Sequence, residues 1–267
     1  MSNADAESRG PRAPRGDGGA GLRPAGAAAG LGRESPYDAI ARVYDPWSAS
    51  VVEDVDFYVE EALAAGGPVV ELACGTGRIA VPIALAGLPV IGVDGSLGML
   101  EVARERAAAA GVEALVDLRH GDLREPPVTE RVPLVLVPFR SLLHMTTELD
   151  RERALDAAFM LLEPGGRLVF DVFAPGKEDV EATHGRWLER EAGIFERADW
   201  DEDERTLTLS VRRGDEASTM LLAWLSPAEW SLLLEGAGFE VEALYGWFDR
   251  RPYEGGEDVV FVASRPE

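Results

Sequence analysis

The stretch Val69-Val70-Glu71-Leu72-Ala73-Cys74-Gly75-Thr76-Gly77-Arg78-Ile79-Ala80 sets how the rest of the chain is read. It opens as a short apolar run, β-branched at Val69 and Val70, turns at Gly75-Thr76-Gly77, and continues with a helical pattern. That order is a buried parallel strand, a tight loop and a helix N-terminus. Glycine has no Cβ, so the loop backbone approaches a ligand closely. The unpaired N–H groups of a helix start favour a negative group there. The stretch therefore reads as a site for a nucleotide-like cofactor.

Downstream, Pro89–Asp94 reads as a second buried strand, with Ser96 capping a helix to Ala110. Ala114–Arg119 is a third strand, followed by His120-Gly121-Asp122-Leu123, and Pro133–Pro138 is a fourth. Thr147, with Asp150 three residues on, caps a helix through Leu162; Pro164-Gly165-Gly166 turns the chain into a fifth strand, Arg167–Phe173. The helix after the Gly loop, Ile79–Ala86, holds Pro82 early enough to be tolerated or to kink it. Strands alternating with helices predict a parallel sheet covered on both faces, with ligands at the carboxyl ends of the strands. Asp94, Asp122, Arg140 and Ser141 all fall at or just past those ends.

Upstream, Val51–Ala65 is helical by pattern, with Val52, Val55, Val59 and Leu63 as its apolar stripe and Gly66-Gly67-Pro68 as its stop. Tyr37 and Tyr44 are seven residues apart and share one face of a helix, either as core aromatics or as a lid over the cofactor. Residues 1–34 carry almost nothing apolar to bury and read as a disordered tail; Arg9, Arg12, Arg15 and Arg23 within it are a solvated run or a binding arm. Beyond the fifth strand the rhythm breaks. Residues 183–225 show period-two stretches and turns at Asp201–Glu204 and Gly214-Asp215, an inserted antiparallel meander of about three strands. Ser226-Pro227-Ala228-Glu229 is a capping box starting a helix that ends near Gly238, and Phe239–Trp247 with Asp258–Ser264 form a closing strand pair. The organisation is thus a tail (1–34), a Rossmann-like α/β unit (35–182), the meander (183–225) and a C-terminal part (226–267) that completes the sheet.

The 267 residues, 46% hydrophobic, suffice for one large domain with a full core, or for a domain plus an insert. A formal net charge of −22 repels phosphate backbones and anionic headgroups, which argues against nucleic acid and membrane as partners. The longest apolar runs fall far short of the roughly 20 residues that span a bilayer. Cys74 is the only cysteine, so no intrachain disulfide forms, and a reducing cytoplasm fits. Lys177 is the only lysine, a bias consistent with a GC-rich bacterial source.

Gly75-Thr76-Gly77-Arg78-Ile79-Ala80 also fits a dinucleotide fingerprint with Asp94 for the ribose, which would make the chain an NAD(P)-dependent oxidoreductase. Two features oppose that reading: Glu71 inside the strand, where such folds usually carry an aliphatic residue, and a C-terminal part that is no second βαβαβ half. Glu71-Leu72-Ala73-Cys74-Gly75-Thr76-Gly77 resembles instead the first motif of class I S-adenosylmethionine-dependent methyltransferases. Val93-Asp94, Gly121-Asp122-Leu123 and Leu161-Leu162-Glu163-Pro164-Gly165-Gly166-Arg167-Leu168 follow in that family's order. The resemblance covers about residues 36–264. It implies a seven-stranded sheet whose last strand is antiparallel. The tyrosine segment and the meander are similar to those of small-molecule enzymes of the family, amino-sugar N-methyltransferases among them.

The resemblance also implies roles. Glu71 would orient the cofactor's methionine end, and Ala73, Gly75 and Gly77 would bring backbone against it. Asp94 would accept from both ribose hydroxyls, Met99 would pack on the adenine, and Asp122 and the Leu123 N–H would meet its edge. Phe139 would line the methyl-donor site, Arg78 would pair with the cofactor carboxylate, and Tyr37 and Tyr44 would close over it. His144 is the candidate general base and Arg140 a candidate for binding an acidic acceptor; each is otherwise a helix or surface residue. No metal is implied. Pro138-Phe139-Arg140-Ser141 lacks the Asn/Asp-Pro-Pro-aromatic loop of adenine and glutamine methyltransferases and the Pro-Cys of cytosine enzymes. The expected acceptor is therefore a small molecule, methylated on N, O or C. The meander would roof its pocket or form a homodimer contact. A protein that binds the cofactor without transferring methyl groups remains the other alternative.

Overall fold

A computed structural model describes residues 35–49 and 52–267, so the tail, its arginines and Val51 lie outside the described residues. A 3-10 turn, Asp38–Ile40, leads into α1 (Ala41–Trp47) and then α2 (Glu53–Ala65). The Rossmann-like rhythm follows: β1 (Val69–Leu72), α3 (Ala80–Leu85), β2 (Val90–Asp94), α4 (Leu97–Ala110), β3 (Val116–His120) and β4 (Val132–Val137). After a second 3-10 turn, Ser141–His144, come α5 (Glu148–Leu161), β5 (Leu162–Phe173) and α6 (Lys177–Thr183). Four strands then run consecutively: β6 (Trp187–Glu191), β7 (Ile194–Asp201), β8 (Thr206–Arg213) and β9 (Glu216–Ala223). The chain closes with α7 (Pro227–Gly236), β10 (Glu240–Tyr245) and β11 (Asp258–Ser264).

The main sheet has seven strands in the order β10-β11-β5-β4-β1-β2-β3. β11 alone runs against its neighbours, pairing antiparallel with both β5 and β10. β6–β9 form a separate four-stranded antiparallel sheet, so the meander expected to hold about three strands holds four. The missed strand, β6, is exposed at four of its five residues and carries little of the alternation that betrays a half-buried strand.

Every residue of β1 is buried, because a central parallel strand is covered on both faces. Val70 and Leu72 join one core cluster with Leu155 of α5 and Trp230 of α7, while Val69 joins another with Phe57 and Tyr58 of α2. Glu71 shares the face of Val69, by strand alternation. The expected stripe on α2 holds only in part: Val55 and Val59 pack against the core. Val52 and Leu63 are exposed, and the face turned inward carries Asp54, Phe57, Tyr58, Glu61 and Ala62. Hydrophobicity alone hid this face because two of its members are carboxylates with ion-pair partners: Asp54 meets Arg78, and Glu61 meets Arg250 and Arg167.

The caps fall where expected: Ser96, Thr147 and Ser226 each accept a backbone N–H of the first turn, and Gly66 and Gly111 end their helices left-handed. Pro82 is the third residue of α3, where a helical N–H is unpaired anyway. β5 begins earlier than expected. Its pairing with β4 jumps from Val132↔Leu162 to Leu134↔Arg167, so the Pro164-Gly165-Gly166 turn is a bulge within one strand.

Candidate active site

Chain order reverses between β4 and β1, and the crevice at their carboxyl ends is the ligand position of such a sheet. The Gly loop lies there with Ala73, Gly75 and Gly77 all at positive φ (59°, 56° and 73°). The loop's glycines do two different jobs. A Cβ on Gly75 would meet nothing within 4 Å, so that face is open to a ligand. A Cβ on Gly77 would stand 3.3 Å from Cβ of Ala103, so this glycine lets the loop pack on α4. Cys74 is a free, buried thiol pressed on Gly92, whose added Cβ would sit 2.9 Å from Sγ. It fills space, as small buried thiols do.

Glu71 is buried and keeps Oε2 without a hydrogen-bond partner. Burial pushes its carboxyl well above the usual range. Asp94 ends β2 and accepts from the N–H groups of Gly75 (2.8 Å) and Ser96 (2.7 Å). Burial nevertheless raises it to about 6. Met99 is buried as the third residue of α4, and its N–H donates to the capping Ser96 Oγ. Leu123 packs against the larger core cluster. Asp122 is held by Arg124, which also reaches Asp150 at 2.6 Å.

Arg78 already has partners within the chain. Its guanidinium takes the fully buried Asp54 in a two-pronged pair (2.7 and 2.5 Å) and lies 4.6 Å over the Phe139 ring. The exit from β4 is unusual: Phe139 and Arg140 are consecutive non-glycine residues at positive φ (57° and 61°). Such residues cost about 1–3 kcal/mol each and persist only where the surroundings hold them. Asp171 of β5 does so, accepting from the Phe139 N–H (2.6 Å) and the Arg140 N–H (3.0 Å). Arg140 then pairs with Asp258 (2.6 Å) and lies over the Phe173 ring.

The segment 35–49 closes over the strand ends. Tyr37 precedes the first 3-10 turn instead of sharing a helix with Tyr44, yet the two rings meet edge to face at 5.8 Å. Burial and the nearby Asp94 raise both hydroxyls, so they stay protonated at neutral pH. Two aspartates pin the segment down, and the sequence reading named neither. Asp38 accepts from Ser96 Oγ (2.6 Å) and the Gly98 N–H (2.9 Å) at the head of α4. Asp45 accepts from Thr76 Oγ1 in the Gly loop (2.6 Å) and pairs with Arg106.

His144 closes the second 3-10 turn and shares a 2.8 Å hydrogen bond between Nε2 and the Tyr37 hydroxyl. Burial alone lowers its pKa to about 4, so the imidazole is neutral at pH 7. Tyr37, Tyr44, Phe139, Arg140 and His144 all line one cavity of about 560 Å³ between the main sheet and the four-stranded sheet. The far wall is Ala198, Trp200, Leu207, Leu209 and Leu222, and its rim includes Asp179, Glu189, Arg190, Glu196 and Glu257. None of these wall and rim residues was legible as a site residue, because no motif spaces them.

Residues 69–166 match the family model described as a methyltransferase domain. Over those residues the chain is a methyltransferase domain. Among curated relatives, methyltransferase GfsG of Streptomyces halstedii is 29% identical over 151 residues, 56% of this chain and 51% of that one. The chain spans about half the length of such curated relatives (57%, 51% and 56% for three of them). The methyltransferase domain also has solved counterparts. The CcbJ methyltransferase of Streptomyces caelestis superposes with a TM-score of 0.75 at 28% identity, covering 88% of this chain and 99% of that one. The glycopeptide N-methyltransferase MtfA, solved with sinefungin, gives a TM-score of 0.57 at 25% identity, covering 79% of this chain and 85% of that one. The residues of the methyltransferase domain fit its cofactor: an open face at Gly75, a carboxylate at the end of β2, and a buried Glu71 oxygen without a partner beneath the loop.

Proposed function

We propose that this chain moves a methyl group from S-adenosylmethionine, by in-line displacement, to a small-molecule acceptor held between its two sheets. The observation that carries the reading is the 560 Å³ cavity, whose lining includes Phe139, the same ring that stacks under Arg78 of the Gly loop. Its volume suits a small ligand. In this reading Glu71, Ala73, Gly75 and Gly77 hold the methionine end, with Arg78 reaching its carboxylate beyond Asp54. Asp94 takes the ribose hydroxyls, and Met99, Asp122 and Leu123 meet the adenine. The bound cofactor supplies an electrophilic methyl group. The chain's own work is to align the acceptor behind that methyl group and exclude water, which together supply roughly 7–11 kcal/mol. Tyr37, Tyr44 and the four-stranded sheet provide the exclusion. His144, neutral at pH 7 and a weak base at its value of about 4, is the candidate to take a proton from the acceptor.

The cavity's charge favours an amine acceptor. Asp179, Glu189, Glu196, Glu257 and Asp258 face Arg140 and Arg190, and six aromatic residues line the same space. Carboxylates and aromatic faces both attract an ammonium group. The name of MtfA, a glycopeptide N-methyltransferase, supports nitrogen as the accepting atom.

Calorimetric titration with S-adenosylmethionine and S-adenosylhomocysteine, on wild type and Asp94→Ala, tests the cofactor reading. Micromolar binding is expected, weakened about 10–100-fold in the variant by the loss of charge-assisted hydrogen bonds. No binding by folded wild type would remove the reading. Transfer of a labelled methyl group to panels of amines, phenols and carboxylic acids then tests the acceptor. Turnover confined to acids would overturn the amine assignment.

A further inference from the structure

Asp171 stands inside Val169-Phe170-Asp171-Val172-Phe173, a run whose other members are core hydrophobics or aromatics. It is 6% exposed, and three donors converge on it. Tyr58 of α2 donates its hydroxyl to Oδ1 at 2.6 Å, and the N–H groups of Phe139 and Arg140 take Oδ1 and Oδ2. A carboxylate offers two oxygens to two successive N–H groups, which suits the left-handed pair that ends β4. That pair decides where two side chains go: Phe139 under Arg78 and against Tyr44, and Arg140 over Phe173 and onto Asp258. Both side chains line the cavity; Asp171 does not.

We infer that Asp171 is a positioning residue for methyl transfer: its carboxylate locks the β4 exit turn so that Phe139 and Arg140 present their side chains to the acceptor cavity. The inference rests on the reading of that cavity as the acceptor site. Asp171 touches neither acceptor nor cofactor in this role; it acts through the backbone of the turn. Burial, opposed by the Tyr58 hydroxyl, brings its carboxyl up to about 6, so the lock weakens as pH falls through that value. The charged and titratable groups that face it are Tyr58 and Asp54 from α2, Tyr44 from α1, Arg78 from the Gly loop and Arg140 itself. Its register partner on β11, Val260, does not titrate.

The test uses the full chain as wild type, Asp171→Asn and Tyr58→Phe, with three readouts: calorimetric S-adenosylhomocysteine affinity, residue-level amide exchange, and methyl transfer to the best amine of the panel. Asparagine keeps one acceptor oxygen and turns an NH2 toward the second N–H. Expected for Asp171→Asn are S-adenosylhomocysteine affinity within about threefold of wild type and protection at Phe139 and Arg140 down about tenfold or more, with Leu134–Val137 unchanged. Acceptor KM rises by about tenfold or more, and the activity limb near pH 6 is lost. Tyr58→Phe leaves both backbone bonds in place, so its KM and exchange stay near wild type; a purely structural carboxylate would move both variants together. Unchanged protection and KM in folded Asp171→Asn would overturn the inference. Should that variant not fold, wild type decides: protection factors at Phe139 and Arg140 fall between pH 7.5 and 5.5 if Asp171 holds the turn, and their constancy overturns it. Absence of S-adenosylhomocysteine binding by wild type would strike the functional reading, while the exchange result still judges the lock.

Discussion

Arg78 shows how one residue's surroundings redirect an expectation. By position it lies just past the Gly loop, where a cation suits a ligand carboxylate. In the fold it already holds Asp54, 24 positions back in the chain, and caps the Phe139 ring. Its part in the site is to tie the loop to α2. His144 is redirected in the same way. An unperturbed imidazole titrates near 6.5, inside the working range of most enzymes. Buried against Tyr37, this one titrates at about 4. A pH–rate profile between pH 5 and 8 is therefore expected to keep any limb near 6 in His144→Asn, while kcat falls. A general base is worth about 100-fold or more, so a loss under about threefold would remove His144 from proton transfer. Two carboxylates beside the crevice, Asp94 and Asp171, carry values of about 6 inside this window.

Among the elements, the segment 35–49 and the four-stranded sheet act together. Ile40 and Val43 bury against Ile194, Val211 and Met220, so the lid over the strand ends is itself roofed by β7, β8 and β9. The Trp47 indole donates to Glu196 at 2.9 Å across the same seam. Asp45 ties this assembly to the Gly loop through Thr76, and Asp45→Ala is expected to weaken S-adenosylhomocysteine binding about tenfold by raising its dissociation rate. Stopped-flow dissociation checks this, and an unchanged rate would show that the segment does not gate the cofactor. At Gly92 of β2 the side chains of Cys74 and Leu118 leave no room for a methyl group. Gly92→Ala is expected to cost about 1–3 kcal/mol by overpacking, measured by urea unfolding. Adding Cys74→Ala should recover part of that loss, since Sγ is one of the two atoms met at 2.9 Å; additive losses would locate the strain at Leu118 instead.

For the whole molecule, three buried carboxylates beside the crevice carry raised pKa values: Glu71 well above its usual range, Asp94 and Asp171 about 6. An unfolded chain titrates these groups near 4. Between about pH 4 and 6 the folded protein therefore binds more protons than the unfolded chain, and stability falls as pH rises through that window. The net charge of −22 adds self-repulsion in the same direction. Glu130 and Glu229, held at about 2 by Arg119 and Arg205, contribute the opposite slope below that window, and His144, lowered to about 4, opposes it within the window but is outnumbered by the three carboxylates. Urea midpoints at pH 5 are expected to exceed those at pH 7.5, and saturating cofactor should narrow the gap by compensating the buried charge. Equal midpoints would mean that these carboxylates titrate normally.

The sequence by itself determined the order of strands and helices through the fifth strand, the helix caps, the Gly loop and the acidic residue closing the second strand. Those features depend on backbone conformation and on neighbours a few residues away, which is information that local spacing carries. Tertiary structure alone decided which carboxylate each arginine meets, which face of α2 turns inward, and that Asp38, Asp45 and Asp171 fix the lid and the β4 exit. These choices join residues distant in the chain, such as Asp171 with Phe139 and Asp45 with Thr76, 32 and 31 positions apart. A hydrogen bond or ion pair is specific only once two elements have been packed within about 3 Å of each other, and no local pattern encodes that meeting.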